Sequence, residues 1–471
     1  MPTLGDLLEA LTHQRYESAK QRITDAVVDS RLVIPGALFV ALPGERADGH
    51  DFVEDAFRRG AHVALIQKDI STPARVIDLR QGGEISEPIE TPLCLRVGDS
   101  LLALQEAARF WRQKMDIRVV GITGSVGKST TKELIAEVLS QRYPTLKNPG
   151  NLNNEIGLPL TILRLSRGHQ RAILEMGFYV PGEISFLCEI ARPQIGVITN
   201  IGTVHAERAG SQEAIARGKS ELVQALPPAP EGVAVLNYDD ALVRAMSEKT
   251  SAAVFYYGLD PKADLWADQI TSYGLEGIAF RLHYKNEVLH LKVPLIGRHS
   301  VHTVLRATAV GLIEGLTWQE IVQGLHSSHT QLRLAVVRTE GGALLLDDSY
   351  NASPESTLAA LNLLADLDGR KIAVLGDMLE LGIYEAKGHE MVGVRAAEIA
   401  DLLLCVGSRA KMIARAALQA GMKPEAVQAH DSTEEAIKAL KDILREGDVA
   451  LIKGSHGMRM DRIVSALEVQ E

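Results

Sequence analysis

A glycine-rich segment followed by lysine and hydroxyl side chains offers the clearest chemistry in this chain. It reads GITGSVGKSTT over residues 121–131, after an apolar run typical of a strand and before a helical pattern. Gly124 and Gly127 permit a tight turn, so backbone N–H groups at the start of the helix can approach an anion. We expect Lys128 to reach the β- and γ-phosphates of a nucleotide and Ser129 to face Mg²⁺. The segment is interpreted as a phosphate loop that binds ATP.

Ser125 and Thr130 complete the predicted nucleotide-binding set of this loop. The strict phosphate-loop pattern has glycine where Ile122 stands, so the loop is a variant of that pattern. The alternative is a glycine-rich turn that precedes a helix and binds nothing. The Lys-Ser-Thr-Thr run and the preceding strand argue against that alternative.

Two polar side chains each end an apolar, strand-like run and are candidates for a metal site. Glu175 ends the run 172–175, and His205 ends the run 198–205. Parallel sheets bind ligands at the carboxyl ends of their strands, and there Glu175 could hold Mg²⁺ directly or through water. Taken alone, Glu175 could equally be an ordinary strand-end acid, and a loop histidine is more often solvated or structural.

Other candidate residues carry weaker signals. Residues 148–157 contain four asparagines, and turn chemistry predicts a loop there. The amides of Asn151, Asn153 and Asn154 could bind substrate or could only tie the loop to itself, and both interpretations stay open. Lys219 lies in the run 216–222, and composition alone predicts a surface lysine.

The elements that must position these residues alternate between strands and helices. In the central part of the chain we predict strands at 117–123, 172–175 and 196–200 and helices at 101–113 and 128–142. This alternation predicts a mostly parallel sheet with helices on both faces. Near the end of this section, residues 278–295 alternate apolar and polar side chains around Lys285-Asn286, which predicts an antiparallel hairpin.

The flanking parts also have an α/β texture. In the first part, a strand is predicted at 36–42 and a helix at 51–58. In the last part, four predicted strands alternate with four predicted helices, which indicates a second doubly wound, Rossmann-like unit. The strands are 344–348, 372–376, 402–407 and 449–454, and the helices are 354–365, 385–399, 410–420 and 457–467. We therefore predict three domains, with bounds 1–98, 99–327 and 328–471.

Composition narrows the class of protein. The chain has 471 residues, 46% hydrophobic and 23% charged, and a formal charge of −10 without a basic stripe, which disfavours nucleic acid as a partner. We find no signal peptide and no apolar run of the roughly 18 residues that a membrane span needs. The three cysteines lie far apart in apolar strings and predict a reducing, cytoplasmic environment.

Several motifs occur in one order, and together they resemble the Mur ligases. Residues 29–31 and 35–46 resemble the UDP-binding domain of that family. The remaining motifs are the phosphate loop and residues 150–159, 175–177, 297–299, 347–352 and 376–382. The resemblance spans nearly the whole chain, and motifs in a shared order are far more specific than any one of them.

The resemblance implies an ATP-dependent ligase of peptidoglycan precursor synthesis. It implies an N-terminal domain for the UDP-sugar, a central ATP domain, and a C-terminal domain for the incoming amine. ATP would phosphorylate the carboxylate of UDP-N-acetylmuramoyl-tripeptide, and the amine of D-alanyl-D-alanine would attack the acyl phosphate. A monomer is the default expectation, and the third peptide residue, lysine or diaminopimelate, stays open.

Roles carry over from the family position by position. Lys128 and Ser129 correspond to the residues that serve the phosphates and one Mg²⁺, and Glu175 and His205 to the metal-site pair. Lys219 corresponds to a lysine that is carbamylated by CO₂, which turns a cation into an anion that can support a second Mg²⁺. The resemblance also implies nucleotide contacts for Arg333 and Asp348. The substrate positions that it implies are Ser30, Arg31, Asn151, Asn153, Asn154, Tyr350, Asn351 and Ser353.

The chain departs from the family pattern at the edges of the ligand sites. Ser300 and Thr303 stand where the family usually has asparagine, Leu332 precedes Arg333 in place of glycine, and His456 stands in place of arginine. Phe178-Tyr179 replaces a Met-Asn pair. A drift in nucleotide preference or in substrate is therefore left open.

Two rival functions are weighed against the ligase that adds D-alanyl-D-alanine. One is another ligase of the same family, which adds a single amino acid to a UDP-muramoyl peptide or glutamate to a folate. Residues 150–159 and 347–352 favour the first function over this rival. The other rival is a nucleotide-binding protein without catalysis, and the competent residue types at Lys128, Glu175 and Lys219 argue against it.

Overall fold

The computed structural model describes residues 1–469 except 46, 81, 83, 84, 86, 87 and 328–334. Three sheets organise the chain, and we call each sheet with its helices the first, central and third unit. The first unit has five parallel strands in the order β1-β2-β3-β5-β4. Its strands are β1 (Ala26–Val27), β2 (Leu38–Val40), β3 (Val63–Ile66), β4 (Arg75–Asp78) and β5 (Leu93–Arg96), and its helices are α1 (Leu4–Thr12) and α2 (Val53–Arg58).

The central unit has nine strands in the order β14-β13-β12-β11-β10-β9-β6-β8-β7. Strands β6 to β12 are parallel to their neighbours, and β13 and β14 add an antiparallel edge. The strands are β6 (Arg118–Thr123), β7 (Thr145–Lys147), β8 (Arg171–Glu175), β9 (Ile195–Ile198), β10 (Val233–Asn237), β11 (Ala253–Gly258), β12 (Leu265–Ser272), β13 (Ile278–Tyr284) and β14 (Glu287–Val293).

The helices of the central unit cover both faces of this sheet. They are α3 (Ser100–Gln113), α4 (Lys128–Ser140), α5 (Gly157–Leu163), α6 (Glu183–Ala191), α7 (Ala206–Ala209), α8 (Gln212–Gln224), α9 (Ala241–Arg244), α10 (Ser300–Ile313) and α11 (Trp318–Leu325). Strand β6 lies between β8 and β9, with Ile122 opposite Glu175 and Thr123 opposite Ile198. This strand order brings the phosphate loop, Glu175 and the segment after β9 to one edge of the sheet.

The third unit has six strands in the order β15-β16-β20-β17-β18-β19, of which β15 is antiparallel to its neighbour. The strands are β15 (Ala335–Arg338), β16 (Leu344–Asp348), β17 (Arg370–Gly376), β18 (Leu402–Val406), β19 (Val427–His430) and β20 (Asp448–Lys453). The helices are α12 (Pro354–Ala365), α13 (Glu385–Ile399), α14 (Lys411–Gln419), α15 (Thr433–Ile443) and α16 (Asp461–Leu467). Asp348 and Lys453 are register partners at the carboxyl ends of β16 and β20.

Apolar packing joins the units unequally. One face of the first sheet and one face of the central sheet share a continuous core that includes Leu104 and Ala108 of α3. The third sheet instead packs its two faces into clusters of their own, one around Leu361 and the other around Leu440. The third unit therefore has a hydrophobic core of its own.

The predicted α/β class with mostly parallel sheets is confirmed, and so is the hairpin around Lys285-Asn286. The predicted helices at 354–365 and 385–399 have the predicted bounds. The proposed domain bounds stay predictions, and the second of them adjoins residues outside the described part. Within the described residues, no helix is both long enough and apolar enough to cross a membrane.

Candidate active site

A cavity of about 1030 Å³ opens between the carboxyl edge of the central sheet and the third unit. The central unit lines it with the phosphate loop, the asparagine-rich loop, Glu175 and His205. The third unit lines it with the segment that follows β16 and with Lys453. The predicted residues in its wall are Ser125, Gly127, Lys128, Ser129, Thr130, Asn151, Asn153, Asn154, Glu175, His205, Asp348, Tyr350, Asn351 and Ser353.

The phosphate loop is held by the segment that follows β9. Gly124 has a φ of +147°, and a Cβ there would lie 1.8 Å from Thr199 Oγ1, so only glycine fits. Backbone N–H groups of Ser125 and Val126 donate to the carbonyl and side-chain oxygens of Asn200, each at 2.9 Å. These contacts fix the turn that ends at Gly127, immediately before α4.

Lys128 points back over its own loop. Its Nζ donates to the carbonyl oxygen of Gly124 at 2.9 Å and to that of Ser125 at 3.3 Å. The ammonium group thereby lies beside the same backbone turn whose N–H groups would face phosphate oxygens. This position suits the predicted role of Lys128 toward a nucleotide.

Ser129 and Glu175 are in direct contact. The hydroxyl of Ser129 donates to Glu175 Oε2 at 2.6 Å, and Asn153 Nδ2 donates to Glu175 Oε1 at 2.9 Å. Glu175 is 1% exposed. A hydroxyl and a carboxylate oxygen at this spacing are hard oxygen ligands of the kind Mg²⁺ prefers. The residues therefore fit the predicted metal, and Asn153 is the asparagine of its loop that touches the carboxylate.

Lys219 is buried, so the surface position predicted from composition is wrong. Its Nζ donates to the carbonyl oxygen of Gly124 at 3.0 Å and lies 4.7 Å from the centre of the Phe178 ring. Burial, together with the nearby charge of Lys128, lowers the pKa of Lys219 well below its usual range. The lowered pKa favours the neutral amine, which is the form that reacts with CO₂.

His205 makes its principal contact with the third unit. Its Nδ1 lies 2.6 Å from Glu380 Oε2, and the Tyr179 ring packs edge-on at 4.8 Å. Burial lowers the pKa of His205 to about 4, which leaves the ring neutral and able to donate from Nδ1 to the carboxylate. The described residues contain no group of three or more His, Cys, Asp or Glu side chains arranged around one point. The metal role of His205 stays a prediction.

The third unit contributes an ion pair and a helix cap. Asp348 Oδ2 accepts from Lys453 Nζ at 2.6 Å, and the same Nζ donates to the carbonyl oxygen of Asn351 at 2.8 Å. Ser353 caps α12, since its Oγ accepts from the backbone N–H of Ser356. Tyr350 is 41% exposed in the cavity wall. These contacts rigidify the segment predicted to hold the nucleotide ribose and the dipeptide.

Four predicted residues that the structure describes do not line this cavity: Gly124 and Lys219, which contact each other at the phosphate loop, and Ser30 and Arg31. Ser30 and Arg31 lie on the first unit, where Arg31 pairs with Asp29 at 2.6 Å, and neither residue lines the cavity. Arg333 lies outside the described residues.

Sequence reasoning missed several residues of the site. Asn200, Glu355, Glu380 and Arg306 all touch the cavity wall or the residues that form it. Glu380 lies within residues 376–382, one of the motifs that resemble the Mur ligases, and that motif could have identified it. The others had no local signal, because each acts through a contact with a distant part of the chain.

Comparisons with known proteins agree with this geometry. Three family models match the chain: Mur ligase family, catalytic domain, at residues 22–93; Mur ligase middle domain at residues 122–311; and Mur ligase, glutamate ligase domain, at residues 332–456. These models account for the first, central and third units in turn.

Among curated proteins, the chain is 36% identical to UDP-N-acetylmuramoyl-tripeptide–D-alanyl-D-alanine ligase of Bacillus subtilis, over 97% of this chain and 95% of that protein. It is 35% identical to the protein of the same name from Escherichia coli, over 99% and 98% of the two chains.

Among solved structures, MurF from Acinetobacter baumannii superposes with a TM-score of 0.83 at 29% identity, over 99% of this chain and 98% of that chain. MurF ligase from Thermotoga maritima, in complex with ADP, superposes with a TM-score of 0.77 at 27% identity, over 97% of both chains. On sequence and fold together, this chain belongs to the Mur ligase family of ATP-dependent, ADP-forming ligases.

Proposed function

We propose that this chain adds D-alanyl-D-alanine to UDP-N-acetylmuramoyl-tripeptide in peptidoglycan precursor synthesis. The curated relatives that share 35–36% identity across nearly its whole length carry that activity in their names. We further propose that it works as a cytoplasmic monomer with domain bounds 1–98, 99–327 and 328–471.

The observation that carries this proposal is a single cavity lined by both the phosphate loop and the segment after β16. A ligase of this kind must bring a nucleotide, a carboxylate and an amine together. A carboxylate oxygen of the tripeptide attacks the γ-phosphorus of ATP, and the bond to ADP breaks. The dipeptide amine then attacks the acyl carbon, loses a proton, and inorganic phosphate leaves as the amide forms.

The first step is governed by charge. Lys128, beside the loop carbonyls of Gly124 and Ser125, is placed to neutralise and orient the transferring phosphoryl group. Ser129 and Glu175 would hold Mg²⁺, which supplies further positive charge when bound. We propose that Lys219 reacts with CO₂ to form a carbamate, because burial lowers the pKa of its amine and so favours the neutral, nucleophilic form.

The second step requires that water be kept from the acyl phosphate. The third unit closes over the loop that follows β9 through two carboxylates. Glu380 contacts His205, and Glu355 Oε1 accepts from the backbone N–H of Thr203 at 3.2 Å. We propose that these contacts hold the cavity closed during reaction, while Tyr350, Asn351 and Ser353 position the dipeptide.

The UDP end of the first substrate is proposed to lie on the first unit at Ser30 and Arg31. Arg31 is well exposed and its guanidinium is already oriented by Asp29, which suits it to meet an anionic diphosphate. The tripeptide would extend from there toward Asn151, Asn153 and Asn154 at the cavity.

The test is phosphate release from ATP and Mg²⁺ with UDP-N-acetylmuramoyl-tripeptide, with and without D-alanyl-D-alanine. The third residue of the tripeptide is varied between lysine and diaminopimelate. Turnover that requires both substrates supports the proposal and identifies the tripeptide. Turnover with a single amino acid in place of the dipeptide would instead indicate another ligase of the family, and ATP binding without turnover would indicate a non-catalytic protein.

A further inference from the structure

Arg306 of α10 is a buried cation at the edge of the phosphate loop. The residue is 5% exposed, and it lines the same cavity as Lys128. A Cβ placed on Gly127 would lie 3.3 Å from Arg306 Nη2, so the guanidinium abuts the turn immediately before Lys128. The structure thus brings a second positive charge to the phosphate loop from a helix far along the chain.

The contacts of Arg306 within the described residues are to neutral groups. Nη2 donates to Thr303 Oγ1 at 2.8 Å, and Nη1 donates to the hydroxyl oxygen of Tyr257 at 3.2 Å. The guanidinium carbon lies 5.6 Å from the centre of the Tyr257 ring. The buried Nε–H has no hydrogen-bond partner among the described residues.

Tyr257 is itself fixed in place. It is completely buried, and its hydroxyl donates toward the carbonyl oxygens of Ile198 and Thr199 at 3.1 and 3.0 Å. Its oxygen is therefore available only as an acceptor, and it holds Arg306 without balancing its charge. Thr303 likewise accepts a hydrogen bond and carries no charge.

A buried cation held only by neutral groups is costly, because burial removes water and these groups do not replace an opposite charge. An arrangement of this kind is retained where a ligand supplies the missing anion. A guanidinium offers planar, forked donors that match phosphate oxygens better than an ammonium does. Arg306 combines a buried charge, an unpaired donor and a position at a phosphate loop.

We propose that Arg306 binds the phosphate chain of the nucleotide, with Thr303 and Tyr257 as the residues that position it. The inference rests on the proposed function only in requiring that the cavity take a nucleotide. It also gives a physical account of one departure from the family pattern, at Thr303. Thr303 orients Arg306, and the hydroxyl of Ser300 donates to the carbonyl oxygen of Ile296 at 2.7 Å, so both hydroxyls are committed to local contacts.

Calorimetric titrations of the full chain with ADP, AMP, adenosine and pyrophosphate test this role. Arg306→Met is expected to weaken ADP and pyrophosphate binding about tenfold or more, because a hydrogen bond to a charged group is lost. Adenosine binding is expected to be unchanged. Arg281→Met is the matched control, since Arg281 lies on the hairpin and pairs with Asp268 at 2.7 Å.

Thermal unfolding without nucleotide is the second measurement, and here the same substitution is expected to leave stability unchanged or to increase it, whereas it weakens ADP binding. Arg306→Met is expected to keep or raise Tm, because it removes an uncompensated buried charge. A purely structural arginine would give a lower Tm and unchanged ADP affinity, and that result would overturn the proposal. Equal losses for ADP and adenosine would also overturn it.

Arg306→Lys covers the case in which the methionine variant does not fold. Lysine keeps the positive charge but lacks the paired N–H donors of the guanidinium. ADP affinity is therefore expected to fall by a smaller factor than in Arg306→Met, again without effect on adenosine binding. Unchanged ADP affinity in a folded Arg306→Lys would contradict the proposed forked contact. A wild-type chain that binds no ADP would refute the proposed function itself. Failure of the proposed function can thus be distinguished from failure of the proposed role of Arg306.

Discussion

The Nδ1 of His205 lies 2.6 Å from Glu380 Oε2, so a side chain that follows the central sheet is paired with a carboxylate of the third unit. The backbone strengthens the same contact, because the N–H of Glu207 donates to the carbonyl oxygen of Glu380 at 3.2 Å. Nearby, the hydroxyl of Tyr384 accepts from the N–H of Gln212 at 3.3 Å. Polar contacts of this type can separate and reform, unlike the apolar core that joins the first and central units.

Glu380→Gln is therefore expected to favour the open arrangement of the third unit. Loss of the charge that receives the His205 hydrogen bond should lower kcat about tenfold, the effect of one charge-assisted hydrogen bond. Small-angle scattering should show a larger radius of gyration. Glu398→Gln on α13, the helix that follows Glu380, is the control, because Glu398 pairs with its neighbour Arg395 and contacts no other unit among the ion pairs of the described residues. An unchanged radius and unchanged kcat would contradict the proposed closure.

Lys128→Ala is expected to lower phosphate release by at least about 100-fold while the fold is kept, because its proposed partner is phosphate and its ammonium contacts loop carbonyl oxygens rather than an apolar cluster. Circular dichroism and Tm check the fold, and steady-state phosphate release checks the activity. Lys262→Ala, at an exposed turn, should behave as wild type. Substantial turnover by Lys128→Ala would refute the assignment of the loop.

Lys219→Ala is expected to abolish activity, and a small carboxylate such as acetate at high concentration should restore part of it by standing in for the carbamate. Wild-type activity should also fall when CO₂ is removed from the buffer. The physical basis is burial of the amine, which lowers its pKa and so favours the unprotonated form that reacts with CO₂. Full activity of Lys219→Ala would exclude the carbamate role.

Gly218→Ala is expected to reduce stability by about 1–3 kcal/mol through overpacking. A Cβ at position 218 would lie 2.0 Å from the Phe178 ring, against which Lys219 packs. Urea unfolding measures the effect. Gly168→Ala is the control, because the nearest atom to a Cβ there is 3.6 Å away. Equal stability of the two variants would show that the Phe178 ring yields freely.

His389 predicts a pH dependence of stability in the third unit. The ring is fully buried, its Nδ1 donates to the carbonyl oxygen of Glu385 at 2.7 Å, and its Nε2 accepts from the N–H of Met378 at 3.1 Å. Both nitrogens are used by the neutral form, and burial lowers the pKa of His389.

The unfolded chain therefore takes up this proton near pH 6.5, before the folded chain does. Stability should fall as pH drops below about 6.5, with a slope of up to about 1.4 kcal/mol per pH unit from this group. Denaturant unfolding at pH 7.5 and 5.5 should show a smaller difference for His389→Gln than for wild type. His290→Gln, on an exposed position of β14, should retain the wild-type difference.

The parts of the fold that were predictable carry their signals locally. Helix α12 begins at Pro354 after the capping residue Ser353, and the hairpin turns at Lys285-Asn286 between strands of alternating polarity. Helix α10 was missed because its residues 300–311 are buried on nearly every side, which leaves no polar stripe to mark a period of 3.6.

The sequence predicted those parts of the candidate site that lie at strand ends or in the glycine-rich turn, because these features locate a residue at the edge of the sheet. The phosphate loop and Glu175 meet because β6 and β8 are neighbours, a consequence of parallel topology. Burial of Lys219, the pairing of His205 with Glu380 and the approach of Arg306 to Gly127 each depend on how distant elements dock. No local pattern encodes such docking, so sequence reasoning reached Lys219 only through resemblance.

The three cysteines have a use that their spacing did not suggest. Cys94 lies on β5, Cys188 on α6 and Cys405 on β18, so each unit holds one buried thiol. Burial raises the pKa of Cys94 and Cys405 to about 12 and raises that of Cys188 as well. The thiolate is the reactive form, so each sulfur stays silent toward alkylating reagents until its own unit opens. The alkylation rate of each cysteine would therefore report how often its own unit opens. Comparing the three rates with and without nucleotide would show which unit opens most readily and whether nucleotide changes that order.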